Sequence, residues 1–304
     1  MKILIYTDPE WAFGSIYYDA AKHLYQSDIN CDILNWGKSY STEQFELLLK
    51  NYDYIVSTYS GIPVLMNGYQ VDPGRLIMQA HDEQDLVWTI KDCGVEIFDK
   101  LAGYAVVSNS LFSSSMTLGI LRLPAITPLG INCDKYQPSA STQCEIVGYA
   151  AVHERPNAYG LERKRGALAQ QAIAAAGLTW KPQSSICYQA MPSYYNTIDA
   201  LVCSSLQEGA GLPALEAAAA GKLVISTAVG HWPQCMDHSM GITAPWPQDE
   251  FVEFVSDQLK FYASSRAAYQ SQCQRARQAA LHWDWKFQIK PWRKFFQSLP
   301  RKIS

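Results

Sequence analysis

The stretch from Asp199 to Ser226 constrains the fold of this chain more than any other. An apolar run at 199–204 reads as a strand. It enters the turn Ser204-Ser205-Leu206-Gln207-Glu208-Gly209-Ala210-Gly211, and an Ala-rich helix at 213–220 leaves it. Pro213 suits the first helical turn, where a missing N–H costs nothing, and Gly221 suits the position just past the helix end. The run 223–226 is then the next strand. Strand, loop, helix and strand in that order place the loop at the carboxyl end of a parallel strand, where open α/β sheets bind ligands. A glycine turn ahead of a helix N-terminus also offers backbone N–H groups and a positive dipole end, which suits phosphate. Two carboxylates, Glu208 and Glu216, bracket the turn.

The rest of the chain repeats this alternation. In the first half, strands are expected at 2–7, 31–36, 54–59, 76–80, 104–108 and 125–128, with helices at 15–25, 41–49, 96–101 and 110–118. That pattern argues for a doubly wound parallel sheet. The segment 134–142, with Pro138 and several Ser and Thr residues, has no periodicity and reads as a linker. Beyond it come a strand at 145–152, a helix at 167–176 ended by Gly177, a strand at 185–188 and a short helix at 192–197. After the central motif, 249–262 and 266–283 look helical. With 304 residues, two α/β domains are expected.

Composition narrows the function classes. Hydrophobic residues make up 48% and charged residues 17%, enough apolar material for two cores. A net charge of −3 gives no general reason to expect nucleic acid or an anionic surface as partner. The eight cysteines form no Cys-x-x-Cys and no zinc spacing with histidine, so they read as buried, reduced thiols of a cytoplasmic protein. The start Met1-Lys2-Ile3-Leu4-Ile5-Tyr6 goes straight into a strand without signal-peptide features. No stretch approaches the ~20 apolar residues of a membrane span. Neither Gly-x-Ser-x-Gly nor a Gly-x-x-x-x-Gly-Lys-Ser/Thr phosphate loop occurs.

The motif Ser204, Glu208-Gly209-Ala210-Gly211-Leu212-Pro213, Glu216-Ala217, Gly221 resembles the donor-site signature of retaining glycosyltransferases of family 4, the group 1 type with the GT-B fold. Ala210 replaces the usual aromatic residue. Gly230-His231-Trp232-Pro233 resembles the Gly-Gly-x-Pro turn that follows, with His231 in place of a glycine. The segment from Pro128 to Pro138, the strand Ile146-Val147-Gly148 and Trp283-Asp284-Trp285 match further family landmarks in order. The resemblance implies an α/β GT-B fold, with two Rossmann-like domains facing across a cleft. It also implies an N-terminal acceptor-side domain at 1–137 with a crossing helix at 286–304, and a donor-binding domain at 138–285.

It further implies roles for residues. Glu216 would bind the ribose hydroxyls, a task for which a carboxylate suits a vicinal diol; a glutamate that only complements the helix dipole is the plainer reading. Glu208 would face the transferred sugar, and Gly209, Ala210, Gly211 and Leu212 would meet sugar and distal phosphate. The departing diphosphate needs cations. Lys164 matches the family's lysine; Tyr149 stands where an arginine is usual, so Arg155, Arg163 or Arg165 would supply the second charge. A solvated helix start is the other reading of the Arg163-Lys164-Arg165 run. His81 ends a strand where the family has a cleft histidine, and Gly14 is what remains of the first glycine loop. No Asp-x-Asp is present, so neither metal nor cofactor is expected.

The expected reaction is therefore transfer of a hexose from a nucleotide diphosphate sugar, taken to be a UDP-sugar, to a hydroxyl of a glycan, lipid or small-molecule acceptor. Two other readings stand beside it: a catalytically idle nucleotide-sugar-binding protein or subunit, and a GT-B nucleotide-sugar epimerase. The tail 285–299 interleaves Lys286, Lys290, Arg293 and Lys294 with Phe287, Ile289, Trp292, Phe295 and Phe296. It suits packing on the first domain, and its basic, amphipathic character also suits peripheral contact with a membrane.

Overall fold

The computed structural model describes residues 1–9, 12–138, 142–151, 162–183, 187–235 and 240–300. The chain divides into two compact units, Met1–Gly130 with Trp285–Ser304, and Ile131–Asp284. The expected boundaries were 137/138 and 285/286.

In the first unit the strands are β1 (Lys2–Thr7), β2 (Asn30–Asn35), β3 (Tyr54–Ser57), β4 (Leu76–Ala80), β5 (Gly103–Val106) and β6 (Ala125–Ile126). They form one parallel sheet in the order β2-β1-β3-β4-β5-β6. β3, β4 and β5 are buried along their whole length, Ser57 and Gln79 included, as central strands of a parallel sheet should be. The helices are α1 (Ala12–Leu24), α2 (Thr42–Leu49), α3 (Glu83–Cys93), α4 (Ile97–Lys100) and α5 (Asn109–Thr117). Ser41 and Gln44 close a capping box on α2. α3 was not among the expected helices. Its signal was Asp82, which caps Gln84 and forms a box with Asp85.

The second unit contains β7 (Ile146–Tyr149), α6 (Gly166–Ala175), β8 (Thr179–Pro182), α7 (Met191–Tyr195), β9 (Ala200–Cys203), α8 (Leu212–Ala219), β10 (Leu223–Thr227), α9 (Trp232–Cys235), β11 (Ile242–Ala244), α10 (Gln248–Ser264) and α11 (Arg266–Leu281). Its parallel sheet runs β11-β10-β9-β7-β8. One core holds Tyr195, Leu201, Leu215, Val224 and Trp232, and the other holds Val147, Ile173, Val202, Ile225 and Phe251. The strand expected at 185–188 is instead β8, six residues earlier, and Tyr188 begins a 3-10 turn; Ser185 and Ile186 lie outside the described residues. The β7 ladder settles the matter, because Ile146 to Tyr149 register with Thr179 to Pro182.

The last helix, α12 (Trp285–Ser298), belongs to the first unit. It buries Trp285, Ile289, Trp292 and Phe296, and the Trp292 indole N–H donates to the Pro128 carbonyl at 2.8 Å. Its aromatics therefore pack as expected, leaving Phe287 exposed between Lys286 and Lys290. Among the described residues no helix is long and apolar enough to cross a membrane. The eight cysteines form no disulfide; Cys187 is exposed, contrary to the expectation of uniform burial, because it sits in the loop leading to the Tyr188 turn.

Candidate functional site

In the second unit the chain continues from β7 to β8 on one side and returns to β9 on the other. The crevice at such a topological switch point lies between the carboxyl ends of β7 and β9. A pocket there is lined by Tyr149, Lys164, Cys203, Ser205, Glu208, Ala210, Gly211 and His231, among others.

The loop before α6 is stitched to the loop after β9. Leu206 N–H donates to the Arg163 carbonyl at 2.8 Å. Ser204 Oγ lies 2.8 Å from the Lys164 carbonyl and 2.9 Å from that of Arg165, and Tyr149 Oη donates to the Lys164 carbonyl at 3.0 Å. Thr227 Oγ1 holds the Ser205 carbonyl at 2.5 Å. Strand-end hydroxyls thus fix both loops, a rigid base for a site.

On this base the Lys164 ammonium ion-pairs with Glu208 Oε1, and Ser205 Oγ donates to the same oxygen at 2.6 Å. The two side chains are 14% and 16% exposed. Burial pushes the Glu208 carboxyl up. The Lys164 charge and hydrogen bond, the Ser205 hydroxyl and the Arg163 charge together outweigh it, so the carboxyl sits below the usual range. Glu208 is therefore an anion, and its chemistry suits contact with hydroxyls or with positive charge.

Beside it the turn enters α8 through Gly211, left-handed at φ 74°. Gly230, at φ 59°, lies directly against this turn: a Cβ there would stand 2.6 Å from the Ala210 carbonyl carbon and oxygen. His231 N–H donates to the Ala210 carbonyl at 2.9 Å. Ala210 and Gly211 face the pocket, Gly209 is buried in the turn, and Leu212 opens the helix.

Glu216 does not line this pocket, and Gly14 and His81 belong to the first unit. Glu216 is 2% exposed and does not line the pocket with Glu208. Its Oε2 accepts from Tyr195 Oη at 2.8 Å. Burial raises its carboxyl pKa, against the opposing pull of Tyr195, Tyr188, Tyr136 and Lys135. Gly14 lies inside α1 in the first unit, packed so closely on Pro9 that a Cβ would stand 2.3 Å from Pro9 Cα. His81, also in the first unit, is 5% exposed. Its Nε2 lies 3.0 Å from Tyr17 Oη and 3.1 Å from Gln79 Oε1; an amide oxygen only accepts, so Nε2 carries the hydrogen. Burial pushes the ring down to about 3, so it is a neutral imidazole engaged in its own core.

The cations divide. Arg155 lies outside the described residues. Arg163 is half-buried and its charge reaches Glu208. Arg165 is turned to backbone carbonyls: its Nε donates to the Ser204 carbonyl at 2.6 Å and its Nη1 to the Trp246 carbonyl at 2.8 Å, its Nη2 holds no hydrogen bond, and its guanidinium lies 5.5 Å from the Phe251 ring centre. A left-handed backbone at φ 51° turns it that way. Tyr149 and His231 also line the pocket, and the sequence reading gave them no function. Their signal was their place where the family's arginine and glycine are usual.

Residues 138–260 match the model of the family described as "Glycosyl transferases group 1". No curated protein matches the chain. Among solved structures, Anabaena HepE in complex with UDP and glucose aligns with a TM-score of 0.71 at 15% identity, covering 98% of this chain and 100% of that one. Sucrose-phosphate synthase from Thermosynechococcus elongatus aligns at 0.70 and 13%, covering 98% of each chain. WaaG, a glycosyltransferase involved in lipopolysaccharide biosynthesis, aligns at 0.66 and 14%, covering 98% of this chain and 100% of that one. At such identities the likeness defines the fold, which is GT-B with two Rossmann-like domains. The residues that match this family model lie in the second unit and include the motif around Glu208, which had led to that expectation.

Proposed function

We propose that the chain is a retaining glycosyltransferase that moves a hexose from a nucleotide diphosphate sugar to an acceptor hydroxyl without a metal ion. The observation that carries this reading is the convergence of Glu208, Lys164, Ser205 and the N-terminal end of α8 at the switch point of the second unit. A carboxylate there suits the sugar, while the ammonium and the helix end suit the departing phosphate. A uridine donor is supported by HepE, solved with UDP-glucose. TarM of S. aureus, solved with UDP, fondaparinux and α-GlcNAc-glycerol, supports a glycan acceptor.

In the reaction, the bond between the anomeric carbon and the diphosphate oxygen breaks while the acceptor oxygen bonds on the same face. The acceptor's proton passes to the departing diphosphate oxygen, so no protein base is required. Glu208 stabilises the positive charge that grows on the sugar. Lys164 shifts from Glu208 toward the diphosphate as negative charge builds there. Glu216 contributes to nucleoside binding if its second carboxylate oxygen, which holds no hydrogen bond, meets a ribose hydroxyl.

Thermal-shift screening against nucleotide sugars, followed by assay of sugar release without acceptor and transfer in excess chelator, tests this. A ligand at about 100 times its dissociation constant adds about 2.7 kcal/mol of stability. Binding without any turnover would favour the idle-binder reading. That reading draws on the Lys164–Glu208 ion pair, which already neutralises the lysine, and on Tyr149 standing at the arginine position.

A further inference from the structure

We propose that His231 is a phosphate-binding residue of this pocket, donating an imidazole N–H to the distal phosphate of a nucleoside diphosphate. This deepens the transferase reading and rests on it. His231 is 1% exposed, and its ring lies over Trp283 at 4.6 Å between centres and 37° between planes. Neither ring nitrogen holds a hydrogen bond. Gln234 lies near enough to raise the imidazole pKa, but its own Oε1 is also without a hydrogen bond. The ring lines the same pocket as Lys164, Glu208, Ala210 and Gly211, and its backbone N–H is latched to Ala210.

An imidazole carries at least one N–H in either protonation state. Leaving such a donor buried and unpaired destabilises the free site, and a ligand acceptor would recover that loss. The Lys164 ammonium also lines this pocket, at the positive end of α8, whose first turn contributes Pro213 and Ala214 to the lining. A buried imidazole N–H beside an ammonium and the positive end of a helix fits a ligand rich in acceptor oxygens and bearing negative charge. Trp283 fixes the plane of the ring, and Gly230 fixes its approach to the turn. The residue is therefore held in one orientation before any ligand arrives.

The test is calorimetry on the full chain with UDP, GDP, ADP, uridine and inorganic pyrophosphate. His231→Phe keeps a ring over Trp283 and removes both nitrogens. The expected result is about tenfold weaker binding of pyrophosphate and of the preferred nucleoside diphosphate. Uridine affinity should stay unchanged, and His231→Gln, which restores an N–H, should recover most of the loss. Equal diphosphate affinity in folded wild type and His231→Phe overturns the proposal. Should the Phe variant fail to fold, the wild-type imidazole nitrogen resonances decide: a shift of His231 on adding pyrophosphate supports the proposal, and none overturns it. Pyrophosphate binding that depends on His231 in a wild type that turns over no nucleotide sugar keeps this proposal and sinks the transferase reading. A wild type that binds neither pyrophosphate nor any of the nucleoside diphosphates sinks both.

Discussion

Lys164 and Glu208, separated by α6, β8, α7 and β9 in the chain, meet as an ion pair at the carboxyl end of β9, with Ser205 Oγ closing on the same carboxylate oxygen at 2.6 Å. The pair is preformed, so a diphosphate must compete with Glu208 for the lysine. Lys164→Ala should therefore lower transfer far more than nucleoside affinity, by about 100- to 1,000-fold if the lysine acts on the leaving group. The comparison is turnover against binding of the nucleoside alone; full activity would pass the role to Arg155 or Arg163.

Glu208→Gln should lose transfer to a similar degree while keeping nucleoside diphosphate binding. The amide preserves size and can still accept from Ser205, yet it cannot offset positive charge on the sugar. It also releases Lys164 from its ion pair, so diphosphate affinity should hold or rise. A fall in affinity together with intact turnover would contradict this assignment.

Tyr149→Phe removes the hydroxyl that holds the Lys164 carbonyl at 3.0 Å. One such bond contributes about 0.5–1.5 kcal/mol. Turnover should drop together with that modest loss of stability, while uridine affinity stays. Equal loss in Tyr149→Phe and in a distant variant matched for stability would show that the tyrosine is structural only.

Acid should destabilise the protein through two buried imidazoles. Burial holds His81 at about 3 and His231 at about 4, both below the ~6.5 of an unfolded histidine. The unfolded chain then binds the protons first. Stability is complete above ~6.5 and is lost as pH falls toward the folded values, with a slope approaching about 1.4 kcal/mol per pH unit for each ring. Denaturation of wild type and His231→Phe between neutral pH and about pH 4.5 should differ in slope by one proton. Identical slopes would mean that the folded His231 pKa is not depressed.

Glu216 carries the opposite sign. Its folded pKa is raised, so its contribution is complete below the unfolded value and is lost as pH rises through the folded one. Glu216→Gln should gain stability relative to wild type as pH increases across that window. If Glu216 also meets the ribose, the variant binds uridine more weakly; unchanged uridine affinity would confine it to the Tyr195 contact.

The sequence alone determined the two α/β sheets, the glycine turn and the helix that leaves it. Those follow from local pattern: apolar runs buried on both faces, Pro213 at a helix start, Gly211 where a left-handed residue is required. It also brought Glu208 and Lys164 to one site. It did not show α3, whose local cues were the Asp82 cap and Gly94 past its end, nor the true place of β8, which is decided by pairing with β7. Nor could it choose between Arg163 and Arg165 for the second cation, because both flank Lys164 with the same composition cue. A left-handed backbone at Arg165 sends its guanidinium to the Ser204 and Trp246 carbonyls and leaves Lys164 to face the pocket. The same limit hid the burial of Glu216 behind Tyr195 and the seating of His231 on Trp283. Where a side chain points is set by partners far away in the chain, and only the tertiary structure brings those partners within hydrogen-bonding distance.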